Sequence, residues 1–322
     1  MRVVYWARYP LARTEITGRL QAQPDTELVV AETLDGALAA LPGAEALVLY
    51  DAPPAEARRV VAAVSAPGSR VRWMHFVSAG REGFEAVGLP PGISITYAAG
   101  AVAPTVAEHA FALLLGLARR VPEMVQQAAE RRWDRAPMTR ARSLEGGVLA
   151  IVGLGHIGIE VARRARAFGM RSVGLSRRAA PDALLDESWP LAQLHAVLAR
   201  ADAVVVAIAL SAETRHLLGR AEFAALKRGA LLVNVARGGV VDQAALCDAL
   251  HAGQLGGAGL DVTDPEPLPA ADPLWACPNL LVSPHFGGGG SAASTARLAD
   301  GVADNLQRLR AGRPLAGTVQ SA

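Results

Sequence analysis

Five apolar residues, Val148-Leu149-Ala150-Ile151-Val152, run straight into Gly153-Leu154-Gly155-His156-Ile157-Gly158, and a helical pattern follows from about 157 to 168. A strand, a glycine-rich turn and a helix in that order restrict the fold more than any other feature of the chain. The turn must be tight, and the helix must pack back on the strand it left, which opens a parallel βαβ unit. The rest of the sequence agrees. Strand-like runs near residues 3–6, 28–31, 46–50, 71–76 and 93–96 alternate with helical stretches such as 56–65. A second series lies at 148–152, 172–175, 203–208, 230–233, 257–260 and 280–282. Apolar strands without polar alternation are covered on both faces. The expected class is therefore α/β, with doubly wound parallel sheets. A chain of 322 residues, 51% apolar, has the length and core for two such domains. A long helix near 104–129, bent at Pro122, is expected to join them, and an amphipathic helix at 291–310 to return to the first. The four glycines at 287–290 read as a hinge or a close backbone approach.

The glycine turn suits a dinucleotide pyrophosphate. Gly153, Gly155 and Gly158 allow the tight turn and the close approach, and the backbone N–H groups of His156 and Ile157 point at phosphates from a helix N-terminus. The His156 side chain is expected in solvent. An acidic residue about 20 positions on would bind a ribose 2′-hydroxyl. Here the next strand ends Gly174-Leu175-Ser176-Arg177-Arg178, and no acid appears before Asp182. Guanidinium groups bind a 2′-phosphate that a carboxylate would repel. The expected cofactor is NADP(H), with Arg177 as main contact, Ser176 assisting and Arg178 a further candidate. NAD(H) is the alternative, should both arginines be surface charges on a chain whose basic residues are almost all Arg.

Three later strand ends carry chemistry. Arg237 follows Asn234-Val235-Ala236, Glu266 lies in Asp261-Val262-Thr263-Asp264-Pro265-Glu266-Pro267, and His285 lies in Ser283-Pro284-His285-Phe286-Gly287-Gly288. Arg237 and Asp261 are 24 residues apart, as are Asp261 and His285, so each interval holds about one crossover and all three line one sheet edge. An imidazole near neutrality exchanges protons, a carboxylate orients it and raises its pKa, and a guanidinium grips a substrate carboxylate. Together they suit reduction of a 2-oxo acid, with His285 as general acid and no metal required. His109, beside Glu108, reads as packing. In the first series, the loops at Asp51-Ala52-Pro53-Pro54 and Ser78-Ala79-Gly80 follow strands and are candidate substrate contacts.

Composition excludes other classes. The net charge of +2 makes no case for nucleic acid or a membrane surface. Met1 to Trp6 reads as a first strand rather than a signal peptide, and the most apolar helical stretch, 110–118, is too short to span a bilayer. The two cysteines, Cys247 and Cys277, show no metal-binding spacing and suit a reducing cytoplasm.

With these residues in hand, the chain resembles the D-isomer-specific 2-hydroxyacid dehydrogenases over almost its whole length, most densely from 147 to 288. The resemblance implies a catalytic triad of Arg237, Glu266 and His285. Asp261 would bind the nicotinamide carboxamide, with Val235 and Arg237 also bordering the cofactor, and the amides of Ala79 and Gly80 would hold the substrate carboxylate. It also implies a substrate domain of residues 1–100 and 288–322, a Rossmann domain of 101–287, an active-site cleft between two Rossmann- or flavodoxin-like domains, and a homodimer. The Ser-Arg-Arg strand end looks most like NADPH-preferring glyoxylate/hydroxypyruvate reductases. There are departures from the family pattern. Arg81-Glu82 follows Ala79-Gly80, so Arg81 either meets the substrate or pairs with Glu82. Ala209-Leu210-Ser211 and Thr263 replace commoner residues. Two other functions compete: oxidation of phosphite or another small anion on the same scaffold, and a nucleotide-sensing interaction protein.

Overall fold

The computed structural model describes residues 1–177, 179 and 182–319. The chain divides into two compact units, one of Met1–Val102 with the segment from Gly290 onward, the other of Ala103–Gly289. Among the described residues the strands form one five-stranded and one seven-stranded sheet, with every pairing parallel.

The first unit runs β1 (Arg2–Trp6), α1 (Arg13–Gln21), β2 (Glu27–Ala31), α2 (Leu34–Ala40), β3 (Ala46–Leu49), α3 (Pro54–Val64), β4 (Trp73–Phe76), α4 (Glu82–Glu85) and β5 (Ser94–Tyr97). The sheet order is β2-β1-β3-β4-β5. Successive side chains of a strand point to opposite faces, and both faces here are buried. Val4, Trp6, Leu47 and Leu49 pack with Ala57 and Val60 of α3. Val3, Tyr5, Ala46 and Val48 pack with Ile16 and Leu20 of α1.

The second unit runs α5 (Ala103–Ala118), α6 (Val121–Ala129), β6 (Val148–Val152), α7 (His156–Ala167), β7 (Arg171–Ser176), β8 (Glu187–Pro190), α8 (Leu194–Leu198), β9 (Ala203–Val206), α9 (Arg220–Ala225), β10 (Ala230–Asn234), α10 (Gln243–His251), β11 (Leu255–Leu260) and β12 (Leu280–Val282). Its order, β12-β11-β10-β9-β6-β7-β8, reverses direction between β6 and β9. The chain then enters α11 (Ala292–Arg310), whose Leu298, Val302 and Leu306 join Ile16 and Leu20 in the first unit's core. Ser291 caps α11 by accepting a hydrogen bond from Ser294 N at 3.2 Å.

Two expectations are corrected. The long helix does not bend at Pro122. It stops at Ala118, Arg120 takes a left-handed φ of 59°, and α6 starts afresh with Pro122 in its first turn. A proline is tolerated there because the first amides of a helix have no intrahelical partner. The strand β8 was not anticipated. Its sequence, Glu-Ser-Trp-Pro, has no apolar run, and a strand at a sheet edge does not need one. The two cysteines, with no motif spacing between them, are joined in a disulfide with a Cα–Cα separation of 5.6 Å. None of the described helices is long and apolar enough to cross a membrane.

Helix α7 lies very close to the turn after β6 at Gly158. A Cβ there would lie 2.0 Å from the carbonyl oxygen of Gly153. Gly158→Ala must push α7 away from β6. It is expected to destabilise the protein by roughly 1–3 kcal/mol, as overpacked sites do, read as a lower midpoint in chemical denaturation.

Candidate active site

The glycine turn sits where the strand order reverses, at the carboxyl ends of β6 and β9. Open parallel sheets place ligands at this point. Gly153 has φ 105° and lies so close to the chain leaving β9 that a Cβ would come within 2.6 Å of Ala207 and Ile208. Gly155 faces open space, with nothing within 4 Å of a built Cβ. A backbone bare on that side, next to the unpaired first amides of α7, fits a pyrophosphate group. The side chain of His156 is exposed, as anticipated. Ser176 is half-buried at the end of β7 and Arg177 is exposed just beyond it. Arg178 lies outside the described residues. Val235 is buried at the end of β10.

Arg237 is delivered by a braced turn. Asn234, fully buried, accepts from the Ala236 amide at 3.0 Å and donates to the Arg237 carbonyl at 2.9 Å. Gly238 then packs against the Thr263–Asp264 backbone so closely that a Cβ would lie 2.0 Å from Thr263. That contact brings the Arg237 turn against the loop carrying Glu266. The loop closes on itself. Glu266 Oε1 accepts from the Thr263 amide at 3.1 Å, and the Thr263 hydroxyl donates to the Pro265 carbonyl at 2.9 Å. Thr263 therefore shapes this loop.

His285 Nδ1 and Glu266 Oε2 are 2.8 Å apart. An ionised carboxylate only accepts, so Nδ1 carries the hydrogen and Nε2 is left to exchange a proton. The hydrogen bond from Glu266 raises the His285 pKa above the ordinary 6.5; burial opposes this, the charge of Glu266 adds to it, and Arg237 opposes it. For Glu266, partial burial pushes the pKa up, but His285, the Thr263 amide and Arg237 together leave it lowered. The charge of Arg237 is felt at both groups. The three residues named from the sequence are thus brought together. The dyad is not deeply buried, since 49% of the His285 side chain and 37% of Glu266 remain accessible.

Asp261 holds the His285 loop in place. It is 3% exposed at the end of β11. Its Oδ1 accepts from the Ser283 hydroxyl at 2.7 Å and the Phe286 amide at 3.1 Å, and Oδ2 accepts from the Gly287 amide at 3.0 Å. Its carbonyl accepts from the His285 amide at 2.8 Å, while His285 itself sits at φ 52°. His109, read from sequence as packing, places Nε2 2.8 Å from Ser283 Oγ and 3.2 Å from Asp261 Oδ1, and its ring lies 4.8 Å from that of Phe286. Sequence reading missed this support. Its only signal was a histidine facing inward from α5.

In the first unit, Ala79 and Gly80 follow β4. The Ser78 hydroxyl donates to the Gly80 carbonyl at 2.9 Å and accepts from the Asp51 amide at 3.1 Å, which ties the loops after β3 and β4 together. Asp51 accepts from the Gly83 and Phe84 amides at 3.1 and 3.4 Å. Arg81 pairs with Glu85 at 2.8 Å, one helical turn on, and its guanidinium lies 4.8 Å from the Tyr97 ring centre. The i,i+4 spacing places Arg81 and Glu85 on one helix face.

The chain is similar to known proteins. The family model for the D-isomer specific 2-hydroxyacid dehydrogenase, NAD binding domain, matches residues 111–287. A glyoxylate reductase of Korarchaeum cryptofilum is 39% identical over 224 residues, covering 69% of this chain and 67% of that protein. A glyoxylate/hydroxypyruvate reductase B of Klebsiella pneumoniae is 40% identical over 186 residues, 57% of this chain and 58% of that one. Among solved structures, a D-isomer specific 2-hydroxyacid dehydrogenase family protein from Aeromonas salmonicida superposes with a TM-score of 0.85 at 30% identity, covering 99% of this chain and 98% of that one. A relative from Xanthobacter autotrophicus, in complex with NADPH and MES, does so with a TM-score of 0.82 at 27% identity, covering 99% and 98%. The chain belongs to the D-isomer specific 2-hydroxyacid dehydrogenase family, and it is an oxidoreductase of that kind.

Proposed function

We propose that this enzyme reduces a short 2-oxo acid of the glyoxylate or hydroxypyruvate class to the D-2-hydroxy acid, with NADPH as the preferred reductant. The observation that carries the reading is the 2.8 Å contact between His285 Nδ1 and Glu266 Oε2, with the charge of Arg237 acting on both. When bound, the nicotinamide supplies the hydride. The residues of the chain do the rest. Arg237 holds the substrate carboxylate and polarises the adjoining carbonyl, which fixes the angle of attack. The Nε2–H of His285 protonates the carbonyl oxygen as charge develops on it, and Glu266 stabilises the imidazolium beforehand. In the reverse direction neutral His285 takes the hydroxyl proton. The Oδ2 edge of Asp261 is the proposed acceptor for the cofactor carboxamide. The amides of Ala79 and Gly80 are the proposed hold on the substrate carboxylate. Arg177, assisted by Ser176 and Arg178, is the proposed 2′-phosphate contact; the NADPH bound to the Xanthobacter relative supports this choice by analogy. We also propose a homodimer.

The first test is turnover of glyoxylate, hydroxypyruvate, pyruvate, phenylpyruvate and 2-oxoglutarate with NADPH and with NADH. Preference for NADPH, lost in Arg177→Ala, is expected. Equal kcat/KM with both cofactors would overturn the arginine reading and leave the chemistry standing. No turnover with any 2-oxo acid would overturn the substrate class and favour a small anion such as phosphite.

The pH dependence follows from the dyad. Reduction requires protonated His285, so kcat/KM should fall about tenfold per pH unit once pH exceeds its raised pKa, above 6.5. Glu266→Gln removes the main cause of the rise, so the break should move to lower pH. His285→Ala should cost more than roughly 100-fold in kcat. A break that stays in place in Glu266→Gln would mean another group sets it.

A further inference from the structure

Away from the catalytic loops, three soft ligands converge. Cys247 and His251 lie one turn apart on α10, and Cys277 follows the short helical turn Pro273–Ala276. Both sulfurs and a ring nitrogen of His251 lie within 4.8 Å of one another. Cys247 Sγ is 3.8 Å from His251 Nδ1. That Nδ1 donates to the Cys247 carbonyl at 2.8 Å. Such a bond fixes the ring and its tautomer and leaves Nε2 with its lone pair. Histidines that bind metals commonly anchor their other nitrogen in this way. Cys277 is 8% exposed, whereas His251 is exposed, so the cluster has a buried anchor and an open mouth.

In the disulfide neither sulfur is a thiolate. A dithiol reductant changes that by exchange. Two electrons and two protons convert the Cys247–Cys277 bond to two thiols, and the reductant becomes the cyclic disulfide. A divalent cation then displaces both thiol protons and forms two metal–sulfur bonds. Zinc–sulfur bonds of ~2.3 Å in a tetrahedral site put two sulfurs roughly 3.8 Å apart. The two sulfurs must therefore move apart on α-carbons that are 5.6 Å apart in the disulfide.

We propose that Cys247, His251 and Cys277 form a redox-gated site for a borderline-soft divalent cation such as Zn2+. Three protein ligands bind the ion and water takes the fourth position; the disulfide closes the site and reduction opens it. The site bridges two segments that adjoin the catalytic loops along the chain. α10 begins at Gln243, capped by Asp242 just after the Arg237 turn, and Cys277 leads into β12 and then His285. Either the disulfide or the metal ties these segments together, so the cross-link survives a change of redox state.

The test uses untagged full-length enzyme, reduced with a dithiol, freed of it under anaerobic conditions, and titrated with Co2+ and then Zn2+. One equivalent of Co2+ should give the near-ultraviolet charge-transfer band of a cobalt–thiolate bond, and Zn2+ should displace it. Unreduced enzyme should show no band. His251→Ala should weaken binding at least tenfold. The Cys247→Ser/Cys277→Ser double variant should bind neither ion while still turning over substrate, which reports an intact fold. Reduced wild type binding no more Co2+ than the double variant would overturn the site. Unchanged affinity in His251→Ala would overturn the ligand set, and equal binding by unreduced enzyme would overturn the gate.

Discussion

The described strands of the second unit's sheet all run in one direction, and the chemistry depends on that constraint. A parallel sheet gathers the carboxyl ends of its strands on one edge. The glycine turn after β6, the Arg237 turn after β10, the Glu266 loop after β11 and the His285 loop after β12 are therefore neighbours by construction. What the sheet does not supply is orientation. That comes from buried polar groups at the same strand ends. Asn234 braces the turn before Arg237, and Asp261 gathers the loop that carries His285.

Two carboxylates in this site do different physical work. Glu266 and His285 keep substantial access to solvent, so their ion pair contributes at most about 1 kcal/mol to stability. Its effect is on proton affinity, where the short hydrogen bond raises the imidazole pKa. Asp261 is buried and satisfied by hydroxyl and amide donors. Removing the donors to either oxygen would leave a desolvated acceptor unsatisfied, which costs about 1–3 kcal/mol. One carboxylate tunes a reactive group, while the other fixes backbone.

Much of this was legible in the residues. Strands buried on both faces are continuous apolar runs, so β6 and β12 were located to the residue from their sequences. Arg237, Glu266 and His285 stood out as candidates because each follows such a run within a few positions. Where burial is one-sided, the signal fades: β8 escaped notice because an edge strand ending in proline carries little apolar pattern. The break between α5 and α6 depends on one residue, Arg120, in a left-handed conformation that its side chain does not advertise. The least legible features are long-range. His109 and Ser283 are 174 positions apart, and the cysteines are separated by 30. Such pairings are set by tertiary packing, and no local period records them.

The order of segments along the chain has a consequence for synthesis. The second unit is continuous from Ala103 to Gly289, so its whole core exists once those residues have left the ribosome. The first unit begins earlier but lacks Leu298, Val302 and Leu306 until α11 is made. Domains usually fold in the order they emerge, from a chain made at about 5–20 residues per second. Here the order is inverted. The unit translated first waits for the unit translated second, with Ile16 and Leu20 lacking their α11 partners until then.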